Sequence, residues 1–173
     1  MALLDGKVIV VTGAGRGLGR AFAAAASSAG AAAVIVAEIN HDWGEASAEA
    51  IRASGGEAAF VPLDLGDPDS VAAMADAVEA GWGRIDGLVN NGAVATGIGG
   101  KTFEEIDVET WDRVMTVNVR GTWLAIKACA PLLRKGANGA RVVNLASDTA
   151  LWGAPRLLHY VSSKGAIIAM TRS

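Results

Sequence analysis

Five short apolar runs alternate along the chain with stretches of helical spacing. The β-branched run at 7–12 reads as a strand buried on both faces. Runs at 33–37, 58–63, 85–90 and 140–146 repeat that character. Between the first two, Leu18, Phe22, Ala25 and Ala29 keep helical spacing and predict one apolar face, and Gly30 ends the helix. Asn40 or Asp42 is placed to cap a second helix that stops at Gly55 and Gly56. Asp67 caps a third, with Pro68 at its first position and Val71, Met74, Val78 and Trp82 as its buried stripe. A glycine-rich loop at 92–100 leads to a long helix predicted over 110–134, whose apolar face carries Trp111, Val114, Met115, Ala125 and Leu132. Pro155 suits the first turn of a last helix. Strands alternating with helices, joined by right-handed crossovers, predict a parallel sheet covered on both faces.

Composition narrows the function classes. A chain of 173 residues is one domain on length, and no linker, charge block or repeat divides it. With 15 basic and 18 acidic residues the net charge is −3, which leaves no basic footprint for nucleic acid. Cys129 is the only cysteine, so neither a disulfide framework nor a cysteine metal site is expected; on the apolar face of its helix it reads as a small buried hydrophobe. His41 and His159 lie too far apart for metal spacing. Asp5 and Lys7 fall where a secretory leader has its apolar core, and Ser27, Ser28 and Gly30 interrupt the alanine-rich stretch 21–37. No membrane span and a cytoplasmic location are therefore expected.

The turn after the first strand reads Gly13-Ala-Gly-Arg16-Gly17-Leu18-Gly19. Glycines between a strand and a helix allow a tight turn and close approach of backbone to a pyrophosphate. The helix N-terminus offers the anion free N–H groups. An acid about twenty residues on is the second element of such a site. Glu38 lies nineteen after Gly19, at the end of the second strand. A carboxylate there can bond both ribose hydroxyls of an adenosine and repels a 2′-phosphate, which points to NAD. Arg16 keeps NADP open, because an arginine in this loop can accept that phosphate. Asp64 closes the third strand and either accepts from an adenine amino group or serves the turn before Asp67. Asn90, Asn91 and Gly92 close the fourth strand as a loop brace or as a plain turn.

Asn118 falls on the apolar face of the long helix, four after Val114. A buried amide must find partners, through a structural water or a neighbouring strand. Ser147 follows the fifth apolar run. Tyr160 and Lys164 stand four apart on one helix face. Tyr-x-x-x-Lys alone is a weak pattern. Here a phenol, an ammonium and a hydroxyl converge at the carboxyl end of a sheet, where an open α/β fold binds ligands.

Taken in order, Thr12-Gly13-Ala-Gly-Arg-Gly17-Leu-Gly19, Asp64-Leu65, Asn90-Asn91, Asn118, Ser147 and Tyr160-Val-Ser-Ser-Lys164 resemble the short-chain dehydrogenase/reductase family. Two local departures are small: Asn90-Asn91-Gly92-Ala93 where the family has Asn-Asn-Ala-Gly, and Ala146-Ser147 where it often has a serine pair. The resemblance implies a Rossmann-like, doubly wound, three-layer α/β sandwich with strand order 3-2-1-4-5. It implies hydride exchange between a nicotinamide cofactor and a secondary alcohol or ketone. Gly13, Arg16, Gly17, Leu18, Gly19, Glu38, Asp64, Leu65, Asn91, Gly92, Tyr160 and Lys164 would hold the cofactor. Tyr160 would be the acid/base, with Lys164 favouring its phenolate and bonding the nicotinamide ribose. Ser147 would meet the developing oxyanion, and Asn118 would hold a water leading from Lys164 to solvent. No metal is needed. The family's usual subunit contacts imply a homodimer or homotetramer through the 110–134 and 156–173 helices.

Family chains continue past the tyrosine helix, so the fold is expected to be cut after the fifth strand and that helix. A chain ending at Ser173 is expected to associate and to have little or no dehydrogenase activity. Two other readings stand beside the enzyme: a cofactor-binding fragment or interaction module of the same fold, and a methyltransferase using S-adenosylmethionine. The latter has no use for Ser147, Tyr160 and Lys164 together.

Overall fold

The computed structural model describes residues 2–136 and 139–173. Five parallel strands form one sheet in the order β3-β2-β1-β4-β5. They are β1 (Val8–Thr12), β2 (Ala33–Glu38), β3 (Ala58–Pro62), β4 (Gly87–Asn90) and β5 (Arg141–Asn144). Helices α1 (Gly17–Ser28), α2 (His41–Ala53) and α3 (Pro68–Trp82) make the first three crossovers. α4 (Val108–Met115), a π-helical turn (Thr116–Gly121) and α5 (Thr122–Arg134) make the fourth. A short α6 (Thr149–Trp152) and α7 (Leu158–Arg172) follow β5.

The period-2 geometry of the strands divides the core between two faces. Ile9, Val11, Val34 and Val36 point toward Ala23 and Ala26 of α1 and Ala48 and Ile51 of α2. Val8, Val10, Ile35 and Leu88 point toward Val71, Met74 and Val78 of α3 and Ala125, Cys129 and Leu132 of α5. Each fully buried valine or isoleucine contributes roughly 1.5–3 kcal/mol. Cys129 is buried as the pattern predicts, and burial pushes its thiol up to about 12.

Several expected details change. The buried stripe of α1 is Gly19, Ala23 and Ala26, while Leu18 is 68% exposed. A β carbon on Gly19 would collide with the Gly13 carbonyl, so the start of this helix lies directly on the glycine loop, and Phe22 packs partly buried against the core beyond it. Asn40, not Asp42, caps α2, accepting from the Trp43 N–H at 3.0 Å. β4 starts at Gly87 rather than at 85, because the Ile85 N–H turns to the Leu132 carbonyl of α5. The long helix opens at Val108 behind the Asp107 cap, and its middle is π-helical. β5 is limited to 141–144. Pro155 does not open the last helix. It lies in a turn that includes Arg156 at φ 61, whose carbonyl accepts from Gly100 N–H, and α7 starts at Leu158.

One buried charge anchors the sheet at the end away from the glycine loop. Asp86, just before β4, accepts from the Val8 N–H at 2.9 Å and from Arg84 Nε at 3.0 Å, and Lys7 Nζ lies at 3.5 Å.

Candidate active site

The candidate residues gather at the carboxyl ends of the strands. β1 runs into the glycine loop, and Gly17 at φ 54 sets the backbone entering α1. Arg16 occupies the N-cap position of α1 without a side-chain cap. The first-turn N–H groups therefore carry no side-chain acceptor at the point where a helix attracts anions. Leu18 stands exposed beside them.

Glu38 is only 6% exposed, and its carboxylate is already engaged. Oε2 accepts from Gly15 N–H at 3.0 Å. Oε1 accepts from Ile39 N–H at 3.0 Å and Asn40 N–H at 3.1 Å. A carboxylate offers about four acceptor positions, so one remains, on Oε2. The two ribose bonds read from the sequence reduce to a single open position.

Asn91 is a brace. Its Nδ2 donates to the carbonyls of Thr12 at 3.0 Å and Gly13 at 3.1 Å. Thr12 Oγ1 accepts from the N–H groups of Asn91 at 3.0 Å and Gly92 at 2.9 Å. These bonds lock the glycine loop to the end of β4. Leu65 is buried so close to Gly92 that a β carbon there would lie 2.7 Å from it. Asp64 takes up the turn role: its Oδ1 accepts from Gly66 N–H at 2.7 Å.

Asn118 lies in the π turn and is 1% exposed. Its Oδ1 accepts from Val94 N–H at 2.7 Å. Its Nδ2 donates to the Val94 carbonyl and to Ser163 Oγ, both at 3.1 Å. Ser163 Oγ in turn donates to the Tyr160 carbonyl at 2.7 Å. The side chain thus finds its partners in a loop and a helix, not in a neighbouring strand.

Lys164 is 5% exposed and donates to the Leu145 carbonyl at 2.6 Å. Its Nζ lies 5.8 Å from the centre of the Tyr160 ring. Burial lowers its pKa. Ser147, two residues past Leu145, accepts from Thr149 Oγ1 at 2.8 Å and donates to Asp148 Oδ1 at 3.3 Å. Side-chain hydrogen bonds therefore fasten α7 at three places, one of them from Asn144 Nδ2 of β5 to Thr171 Oγ1 at 3.0 Å. Lys164–Leu145 ties it to the segment carrying Ser147, and Ser163–Asn118 ties it to the π turn.

Sequence reasoning missed Ser163 and Ser47 as partners in these networks. Ser163 falls three after Tyr160 on the face shared with His159 and Ile167, a spacing that marks it as buried. Ser47, whose Oγ donates to the Ala14 carbonyl at 2.8 Å, had no signal beyond a lone serine among the inward positions of α2. Among the described residues no group of histidine, cysteine, aspartate or glutamate gathers to hold a metal, and no helix is long and apolar enough to cross a membrane.

Comparison with known proteins places this geometry. The sequence profile described as short chain dehydrogenase matches residues 7–173. An uncharacterized oxidoreductase of Thermotoga maritima is 36% identical over 171 residues, 99% of this chain and 65% of its own length. The 2,5-dichloro-2,5-cyclohexadiene-1,4-diol dehydrogenase of Sphingobium indicum is 36% identical over 173 residues, covering 99% of this chain and 66% of that protein. The chain thus spans about two thirds of the length of these relatives. A crystal structure of a short chain dehydrogenase/reductase from Burkholderia phymatum in complex with NAD superposes with a TM-score of 0.91 at 34% identity, over 99% of this chain and 60% of that one. The glycine loop joined to β4, the buried lysine beside the tyrosine and the profile match over nearly the whole chain carry one conclusion: this chain belongs to the short-chain dehydrogenase family.

Proposed function

We propose that residues 1–173 form a single cofactor-binding and catalytic domain of an NAD-dependent oxidoreductase that interconverts a secondary alcohol and a ketone. The observation that carries the proposal is the buried Lys164 ammonium, held by the Leu145 carbonyl beside the Tyr160 ring. The residues present fit a nicotinamide dinucleotide. The uncapped first turn of α1 suits its pyrophosphate, and the open position on Glu38 Oε2 suits one hydroxyl of the adenosine ribose. Gly13, Gly17, Gly19, Asn91 and Gly92 shape that cradle; Arg16, Leu18, Asp64 and Leu65 line its sides. The acid at the end of β2 favours NAD over NADP.

When bound, the cofactor supplies or accepts the hydride. The chain does the rest. Tyr160 delivers a proton to the carbonyl oxygen during reduction and removes it during oxidation. Lys164 places a positive charge beside the phenol and so favours the phenolate. Ser147 Oγ donates to the oxygen as negative charge grows there, a bond worth roughly 3 kcal/mol when preorganised. Asn118 holds α7 and the loop at Val94 in register. The helices α4–α5 and α7 are the surface for self-association, and the protein works in the cytoplasm on a small-molecule substrate.

Deuterium-labelled NADH offered with a panel of cyclic and acyclic ketones tests this reading. Label in the product alcohol is the expected result, with Tyr160→Phe lowering transfer at least about tenfold while NADH still binds. Cofactor binding with no transfer to any ketone would leave a cofactor-binding module of the same fold.

A further inference from the structure

Three consecutive residues of the glycine loop are each tied to the end of β2 or to α2, by three different kinds of contact. The Ala14 carbonyl accepts from Ser47 Oγ at 2.8 Å. The Gly15 N–H donates to Glu38 Oε2 at 3.0 Å. The Arg16 guanidinium lies 4.7 Å from the centre of the Trp43 ring. A β carbon on Gly15 would meet Glu38 Cγ and Trp43 Cβ at 2.8 Å each, so the loop backbone rests directly against both side chains.

Ser47 is 1% exposed in the middle of α2. A serine at such a position commonly bonds back to the carbonyl four residues earlier in its own helix. Ser47 reaches out of the helix instead, to a carbonyl 33 residues away in sequence. Ala14 is itself fully buried, so without that hydroxyl its carbonyl has no water to turn to. Trp43 sits in the first turn of α2, where the Asn40 cap holds its N–H, so the ring that carries Arg16 stands on a fixed turn. An arginine stacked on an indole face is attracted by the ring quadrupole. The loop is thereby shaped from outside, by groups that need no contact with any ligand.

We propose that Ser47 and Trp43 are positioning residues for the phosphate loop: through them α2 holds Ala14–Gly15–Arg16 in its anion-accepting shape before any cofactor arrives, with Glu38 as the middle tie. The proposal rests on the reading of residues 13–19 as the cofactor's phosphate site. It separates two jobs on one side of the sheet. Glu38 Oε2 meets the ribose, whereas Ser47 and Trp43 act only through the loop.

Calorimetric titration of the full chain with ADP and with adenosine, paired with amide hydrogen exchange on the ligand-free protein, tests this. ADP carries the diphosphate that the loop would receive, and adenosine does not. Ser47→Ala is expected to weaken ADP roughly five- to twentyfold, to leave adenosine within about twofold, and to speed exchange over residues 14–19. Trp43→Ala is expected to do the same more weakly, and Trp43→Phe, which keeps a ring face under Arg16, to restore ADP binding. Ser54→Ala, which removes an exposed hydroxyl bonded within the same helix region, serves as the control. Unchanged ADP binding in both Ser47→Ala and Trp43→Ala overturns the proposal. So does a parallel loss of ADP and adenosine, because that is how simple loss of packing acts. A wild-type chain that binds neither ligand ends the cofactor reading. Exchange over 14–19 then decides alone: faster in Ser47→Ala supports the tie, and equal rates overturn it.

Discussion

Glu38 and Lys164 are both buried charges, and each is engaged with backbone groups. Glu38 receives three N–H donors from the glycine loop and the turn after β2. Glu38→Gln keeps the shape but turns one oxygen into a donor, which sets an NH2 against an N–H somewhere in that set. The expected loss is about 1–3 kcal/mol of stability together with weaker NADH binding. Urea unfolding and a fluorescence titration read the two effects separately. Equal affinity in wild type and variant would reduce Glu38 to a structural acid. Lys164 has its pKa lowered by burial. Between that lowered value and the unfolded value near ~10.4, the unfolded chain holds the proton and the folded chain does not. Unfolding free energy from this group therefore rises with pH across that window. In Lys164→Met the rise disappears. Urea midpoints taken from about pH 8 to about pH 10 should shift in favour of the wild type; a constant gap would show that Lys164 titrates alike in both states.

Among the elements, the fourth crossover departs most from its sequence pattern. Its apolar period reads as one straight helix, yet residues 116–121 are π-helical. A π turn adds a residue to the local repeat and occurs often at functional sites. Here it carries Asn118, with the Asn118 carbonyl accepting from Thr122 Oγ1 at 2.8 Å and the side chain bridging Val94 and Ser163. Asn118→Ala leaves the Val94 N–H and carbonyl without this partner, at a cost of about 1–3 kcal/mol for each group that stays buried. A clear drop in the urea midpoint is expected. Exchange should also quicken at the start of α7, because Ser163 loses its link. Unchanged exchange there would mean that Lys164, the Asn144–Thr171 bond and apolar contacts hold α7 without Ser163.

For the whole molecule, coverage of the sheet is uneven. On the α1 side an apolar groove of about 650 Å³ runs over β1, β4 and β5, with Ile9, Phe22, Val89 and Val143 among its walls. Val143 is 51% exposed on β5, the outermost strand. An apolar edge with unpaired backbone groups invites association. A polypeptide of residues 1–173 by itself is therefore expected to self-associate in sedimentation and to bind an apolar dye. Val143→Lys, which places a charge on that edge, is expected to reduce both. A monodisperse wild-type polypeptide with no dye binding would contradict the expectation.

Local chemistry made much of this protein legible in its sequence. Uninterrupted β-branched runs announce strands buried on both faces, and glycines between a strand and a helix announce a close backbone approach. The Asp67-Pro68 start of α3 and the four-residue spacing of Tyr160 and Lys164 depend only on near neighbours, so they were readable directly. Other features depend on residues distant in sequence. Leu18 looks like core by spacing but stands exposed, because α1 turns Gly19, Ala23 and Ala26 inward and rests Gly19 on the glycine loop. The position of Glu38 at the end of β2 was readable from spacing, whereas its three N–H donors come from a loop and a turn that meet only in the folded sheet. Pro155 fits a first helical turn by its own dihedral preference, yet the turn that joins Arg156 to Gly100 moves the helix start to Leu158. Strand, loop and helix identity follow from short-range sterics and hydrophobic period. Which polar groups are satisfied, and by whom, is decided only when distant segments pack and water leaves.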